Sequence, residues 1–392
     1  MERLDNQKRS STSEITTLPK RDYFLLPLLS FLTILVMLGA SEIFTRLIWV
    51  QHKSYACVIE DPVEGDRFKP NCTERTKLAE GPWVTYSYNE CGYRSITSCG
   101  PKPAGAIRIA ITGSSMSQAL HVPYEDTFFD RASRDLANRC GRPVDVQNLG
   151  VPGLSPIYAY RRIPEALALK PDVILYLVNP FDLEQKILPG ELAERDNPTR
   201  VSSTLAAKIA PNPLRDLEHL LIQSRTVLVA QHFIFQNRET FIRTFMVYGD
   251  RADFLRQPFT PAWQQRFSDF DVILGSVAEK ARAAGVPLVI VPVPSRVEAA
   301  LLSSPQLPPH VDPFAFGREV EAIAAKHGVS YLDLMKPFGS IPNAENLYYT
   351  VDGHVQSDGH KVIAQELVRK LLEGSVPAFS HCAPRPSAER SQ

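Results

Sequence analysis

One uncharged run, Tyr23–Ser41 (YFLLPLLSFLTILVMLGAS), limits this chain more than any other feature. As a helix it would rise about 28 Å, close to the roughly 30 Å hydrocarbon thickness of a bilayer. Arg3, Lys8, Arg9, Lys20 and Arg21 precede it, and the nearest basic residues beyond it are Arg46 and Lys53. That asymmetry predicts a cytoplasmic N-terminus and a periplasmic or extracellular body on a single-pass anchor. A cleaved signal peptide is the competing reading, because Gly39-Ala40-Ser41 offers small residues near the end of the run. The anchor is preferred because the leader is long and apolar character resumes at Ile43–Phe44 and Leu47–Val50.

Cysteine placement agrees with export. Cys57, Cys72, Cys91, Cys99, Cys140 and Cys382 all lie beyond the apolar run. In an oxidising compartment they predict up to three disulfides, with Cys57–Cys72 and Cys91–Cys99 the simplest pairings by proximity. No C-x-x-C pair is present, which disfavours zinc. The 43 basic and 43 acidic residues balance, so no long-range field would gather nucleic acid, and none is expected as a partner. With 44% hydrophobic residues, the body has enough apolar surface to fold around a core.

Residues 1–22 read as a disordered cytoplasmic tail, 23–41 as the anchor and 51–105 as an irregular, cysteine-containing lead-in. From 106 to 374 short apolar strands alternate with amphipathic helices, the pattern of an α/β domain whose parallel sheet is covered on both faces. Ile107–Thr112, Val144–Asn148, Pro171–Val178, Pro287–Val293 and Val329–Leu334 are the expected strands. Helices are expected over Tyr124–Arg139, Ser155–Leu169, Trp263–Ala284, Pro313–His327 and Ser357–Leu372. The interval 184–262 breaks the rhythm and reads as a helical insertion, with helices over Thr204–Gln223 and Thr226–Tyr248, placed where a cap over a site would sit. Residues 375–392 read as a disordered tail.

In open parallel sheets, reactive groups collect on loops beyond the carboxyl ends of the strands. Four such loops are unusual here. Gly113-Ser114-Ser115 follows the first strand and offers a serine at a helix entrance, although serines there also serve as caps. Asp352-Gly353-His354 precedes the closing helix. An imidazole beside a carboxylate is what a serine hydroxyl needs to become a nucleophile, since His takes the proton and Asp fixes its tautomer. The turn Asn148–Gly153 and the segment Asn179-Pro180-Phe181-Asp182 offer backbone N–H groups and a side-chain amide for an oxyanion, though both also suit ordinary turns.

The order Gly-x-Ser … Asn-x-Gly-x-x-Gly … Asn/Asp … Asp-x-His-x-x-x-x-Gly-His resembles the SGNH (GDSL-like) hydrolase superfamily, above all its membrane-anchored bacterial members. The likeness covers about 107–183 and 263–372, and Asn89-Glu90-Cys91-Gly92-Tyr93-Arg94 resembles the N-x-x-G-[FY]-R stretch that often precedes such domains. It implies a three-layer flavodoxin-like parallel sheet, with Ser115 as nucleophile, His354 as base and Gly153 as an oxyanion donor. No cofactor and no metal are implied.

Three positions depart from the pattern. Gly113-Ser114-Ser115 lacks the family's acidic neighbour. Phe181-Asp182 stands in register with its Asn-Asp, leaving Asn179 two residues early. Asp352-Gly353-His354 is one residue shorter than Asp-x-x-His, a spacing similar to that of some polysaccharide O-acetyltransferases. A metal cluster of Asp352, His354, Asp358 and His360 is a lesser alternative, and His121 is expected to be mainly structural. The expectation is a membrane-tethered serine esterase or O-acyltransferase acting on an acylated cell-envelope glycan or lipid. Its rival is an inactive carbohydrate-binding or envelope-assembly protein on the same scaffold.

Overall fold

The computed structural model describes residues 19–61, 65–153, 155–184, 187, 191–192, 223–247 and 249–382. The expected helix 204–223 therefore lies outside the described residues but for Gln223, as do most of the N-terminal tail and residues 383–392.

Helix α1, Asp22–Ile48, contains the uncharged run, buries none of its side chains and has a mean hydropathy of 2.2 in an 18-residue window. It is long and apolar enough to cross a membrane. Its apolar side chains point all round the axis, as expected of a helix meant for lipid.

The lead-in is more regular than expected. It forms two antiparallel hairpins, β1 (Val58–Ile59) with β2 (Arg67–Phe68) and β3 (Thr73–Lys77) with β4 (Trp83–Ser87). Alternate residues of β4, Val84 and Tyr86, turn inward onto a small cluster with Cys57, Phe68 and Tyr88. Disulfides Cys57–Cys72 and Cys91–Cys99 close this region as sequence proximity suggested.

The body is a five-stranded all-parallel sheet of β5 (Ile107–Thr112), β6 (Val144–Asn148), β7 (Val173–Val178), β8 (Leu288–Pro292) and β9 (Ser330–Tyr331), in the order β6-β5-β7-β8-β9. Counted from β5 this is 2-1-3-4-5, the flavodoxin-like order. All six residues of β5 and of β7 are buried, which is why these strands read as continuous apolar runs. Successive side chains go to opposite faces. Ala110, Ile174, Tyr176 and Ile290 meet helices α4 (Pro156–Arg161), α5 (Ile163–Ala168), α9 (Pro261–Ala283) and α11 (Ala315–Lys326). Ile109, Ile111, Leu175 and Val289 meet α3 (Phe128–Cys140) and α13 (Ser357–Lys370). The result is three layers.

Several boundaries move for local reasons. The helix expected over 155–169 divides into α4 and α5 at Arg162, because Pro164 opens α5 and has no N–H to continue the ladder. The helix expected over 226–248 divides into α7 (Arg225–Ile234) and α8 (Arg238–Met246), since the Asn237 side chain accepts from Thr240 N–H at 2.9 Å and starts a new helix. The expected tail at 375 begins later, because Val376 and Phe379 are buried in the core and Cys382 is bonded to Cys140.

Candidate active site

Strand β5 ends at Thr112 and turns through Gly113, whose φ is +132°. A Cβ there would lie 2.4 Å from the Leu177 carbonyl oxygen on β7, so only glycine lets the turn pass this close to the sheet. Ser115 then opens the short helix α2 (Ser115–Gln118). Arg94, fully buried, holds the far end of α2 by donating to the carbonyls of Gln118, Ala119 and Val122 at 2.5, 2.8 and 2.6 Å. From the next strand, Asn148 donates Nδ2–H to the Ser117 carbonyl at 2.8 Å. The N-x-x-G-Y-R stretch thus supplies the residue that braces the serine loop.

On the other side, Asp352-Gly353-His354 forms a tight turn before α13, with Gly353 at φ +83° and Tyr349 N–H donating to the His354 carbonyl at 2.9 Å. This turn brings His354 Nε2 to 2.8 Å from Ser115 Oγ, across 239 residues of chain. Its Nδ1 lies 2.6 Å from Asp352 Oδ1. An ionised carboxylate only accepts, so Nδ1 carries the proton and Nε2 is left to accept the serine hydroxyl. The shortened Asp-x-His spacing therefore still delivers a contiguous Ser–His–Asp array.

The electrostatics fit that polarity. Burial would raise the Asp352 carboxyl, but the imidazoles of His354 and His121 outweigh it and hold the group well below the carboxylate range. Burial would lower His354, yet the Asp352 carboxylate, with a lesser contribution from Asp182, holds it above 6.5. His121 approaches the second Asp352 oxygen at 3.6 Å and meets the His354 ring edge-on, so it borders the array instead of serving the fold alone.

Gly153 and Asn179 border the same cleft. Asn179 is buried and commits one amide N–H to Asp182 Oδ2 at 3.0 Å, while Asp182 also accepts the Asn179 backbone N–H at 2.9 Å. Burial pushes Asp182 up to about 7, only partly offset by Ser114 and Asn179. Asp182, from the β7 loop, thus sets a carboxyl group near Ser114 and His354, although no acidic residue stands next to Ser115 in sequence. His360 is not a ligand candidate. It is buried, stacks on Phe128, accepts the Phe128 N–H at Nδ1 (3.2 Å), and is held down to about 3 by burial and neighbouring positive charge. Among the described residues the group whose spacing could hold a cation is instead His121, Asp352 and His354, whose ligand atoms lie within 4.8 Å of one another.

The cleft encloses about 310 Å³. Its other wall is aromatic, with Phe235 at the end of α7, Phe241 and Phe245 from α8 and Phe181 from the β7 loop. Arg296 ties that wall to the segment leading into the Asp352-Gly353-His354 turn, donating to the carbonyls of Thr350 and Phe235 at 2.7 Å each and lying 3.8 Å over the Phe241 ring. Sequence reasoning missed Glu80. Its side chain, 2% exposed in the bend between β3 and β4, accepts the Val351 and Asp352 backbone N–H groups at 3.0 Å each and pairs with His232 Nδ1 at 2.6 Å. Nothing in the short run Leu78-Ala79-Glu80-Gly81 signals this role.

No family profile matches the chain, and no curated protein resembles it in sequence. Solved structures similar to it include esterases and lipases. TesA is 16% identical over 67% of this chain and 97% of its own, with a TM-score of 0.35. A catalytic variant of Axe2, an acetylxylan esterase from Geobacillus stearothermophilus, is 12% identical over 69% and 96%, at 0.39. A lipase/acylhydrolase from Enterococcus faecalis is 14% identical over 72% and 100%, at 0.36. Overlaps this loose leave the fold to be judged from strand order and crossovers.

Proposed function

We propose that this protein is a membrane-tethered serine ester hydrolase of the SGNH type, working through an acyl-serine intermediate. The observation that carries the reading is the 2.8 Å contact between Ser115 Oγ and His354 Nε2, continued by the 2.6 Å contact from Nδ1 to Asp352. His354 takes the hydroxyl proton as Ser115 attacks the acyl carbon, then gives it to the departing alcohol. The Ser115 and Gly153 N–H groups and the second amide hydrogen of Asn179 are the donors for the oxyanion. Water regenerates the serine in hydrolysis, and a sugar hydroxyl in the same place would make the enzyme an O-acyltransferase.

The aromatic wall suits the acyl part of the substrate, and a body held at an outer membrane face by α1 suits an acylated envelope lipid or glycan. Three disulfides accord with an oxidising compartment. A fluorophosphonate probe tests the reading. Labelling confined to Ser115, together with loss of p-nitrophenyl acetate turnover in Ser115→Ala, is expected. An unlabelled chain without turnover would instead leave an inactive scaffold, and a Ser115→Ala variant that keeps its turnover would reject Ser115 as the nucleophile.

A further inference from the structure

Tyr23–Ser41 accounts for about 28 Å of α1, so Glu42, the first charged residue after it, stands where the hydrocarbon ends. Helix α7 starts at that level. The Glu42 carboxylate accepts the Arg225 and Thr226 backbone N–H groups at 2.9 Å each and the Ser224 hydroxyl at 2.7 Å. The helix then runs beside the last turns of α1, since His232 meets Trp49 with ring centroids 4.7 Å apart. Trp49 lies seven residues past Glu42, a rise of about 10 Å that places it among the headgroups.

Exposed apolar and aromatic side chains surround that point. Phe233 and Ile234 on α7 are 61% and 50% exposed, Tyr55 72% and Trp83 41%. Phe233 lies 6.2 Å from Trp49, His52 lies 5.7 Å from Trp83, and the Arg75 guanidinium sits 4.5 Å over the Trp83 ring. Aromatic rings flanked by Arg75 and exposed Lys53 match the chemistry of a headgroup layer containing anionic lipid. The same α7 presents Gln231 to the cleft, and its C-cap residue Phe235 lines it one turn on. A single helix separates the lipid level from the reacting atoms.

We propose that the face formed by Trp49, Tyr55, Trp83, Phe233 and Ile234 lies on the bilayer that α1 crosses, and that the cleft takes its acyl ester from an amphiphile of that bilayer. The second clause rests on the ester-hydrolase reading, and the first stands without it. The occupant is lipid because the face continues the surface of α1 itself.

The test uses the full chain in phosphatidylcholine–phosphatidylglycerol vesicles. All six native cysteines are paired, so Phe233→Cys and Ala283→Cys each introduce a single free thiol for an environment-sensitive dye. Ala283 is exposed at the end of α9, at the strand ends away from the cleft. Headgroup-spin-labelled lipid is expected to quench the dye at 233 several-fold more than at 283. Equal quenching overturns the proposal, and so does a 233 signal that follows protein-to-lipid ratio, which would mark a second copy of the chain on this face. In the double variant F233S/I234S, hydrolysis of a vesicle-embedded phospholipid ester should fall at least tenfold with p-nitrophenyl acetate turnover unchanged. Unchanged phospholipid hydrolysis overturns the substrate clause. If both activities fall together, quenching at 233 in the single-cysteine protein decides. A wild-type chain that turns over neither ester refutes the hydrolase reading and leaves the quenching result standing.

Discussion

One wall of the cleft comes from three turns at the ends of adjacent strands and a fourth before α13. The other comes from the α7–α8 pair, with the lead-in hairpin behind the catalytic turn. In the first wall each residue is fixed by its own loop: Gly113 by the closeness of β7, Ser115 by the start of α2, His354 by a glycine turn. In the second, position comes from side chains reaching between distant segments, Glu80 to Val351 and Asp352, Arg296 to Phe235, Glu42 to Thr226. Local geometry writes motifs into a sequence. Bracing by Glu80, Arg296 and Glu42 needs only a charged group within reach and leaves none, whereas Arg94, which braces α2 from the lead-in, does sit in a motif.

That contrast can be broken at four places, in decreasing order of effect. Asp352→Asn removes the carboxylate that fixes the His354 tautomer and should lower kcat about 10⁴-fold with little change in KM, read by steady-state kinetics on a soluble ester. Glu80→Gln puts an amide against two backbone donors. Turnover should fall about ten- to a hundredfold through kcat, because a small misplacement of the array is costly. An equal loss in KM with kcat intact would mean that Glu80 serves the cleft wall and not the catalytic turn.

Asp182→Asn tests the electrostatics. His354 must be neutral to act as base, and its pKa is held above 6.5, so kcat/KM should rise with pH through an apparent pKa above that value. Removing the Asp182 charge takes away part of what holds the imidazolium, and the rising limb should move to lower pH. A limb that stays put would detach Asp182 from the site.

The smallest expected effect is on stability. Buried His360 is held down to about 3, well below its unfolded value of 6.5. Between those values the unfolded chain binds the extra proton, so stability falls as pH drops from 6.5 toward 3. Replacing His360 with Gln should flatten that acid slope in a urea titration at pH 4.5 and 7.

The sheet was legible because β5, β7 and β8 are buried on both faces and so carry unbroken apolar runs. Ser115, His354 and Asp352 were legible because turns that present reactive groups need particular residues at particular spacings, and the structure brings those three together. Asn179 lines the cleft, but its bond to Asp182, and the upward push on that carboxyl, follow from a buried environment that no spacing encodes. The break between α7 and α8 was missed because apolar spacing runs straight through Asn237, whose side chain decides the matter locally. The hairpins of the lead-in were missed because their strands are short, and cysteines and turn formers dominate the composition.

The bond between Cys140 and Cys382 has a consequence for maturation. Its two sulfurs are separated by 242 residues, against 15 and 8 for the other two pairs. While the intervening chain is being made, the thiol at the end of α3 has no native mate, though four other cysteines have already been produced. Correct pairing is therefore favoured when the two short loops close first, and the last crosslink can form only after His354 has been synthesised. A disulfide wrongly formed at that one waiting thiol is the bond that thiol–disulfide exchange would have to undo.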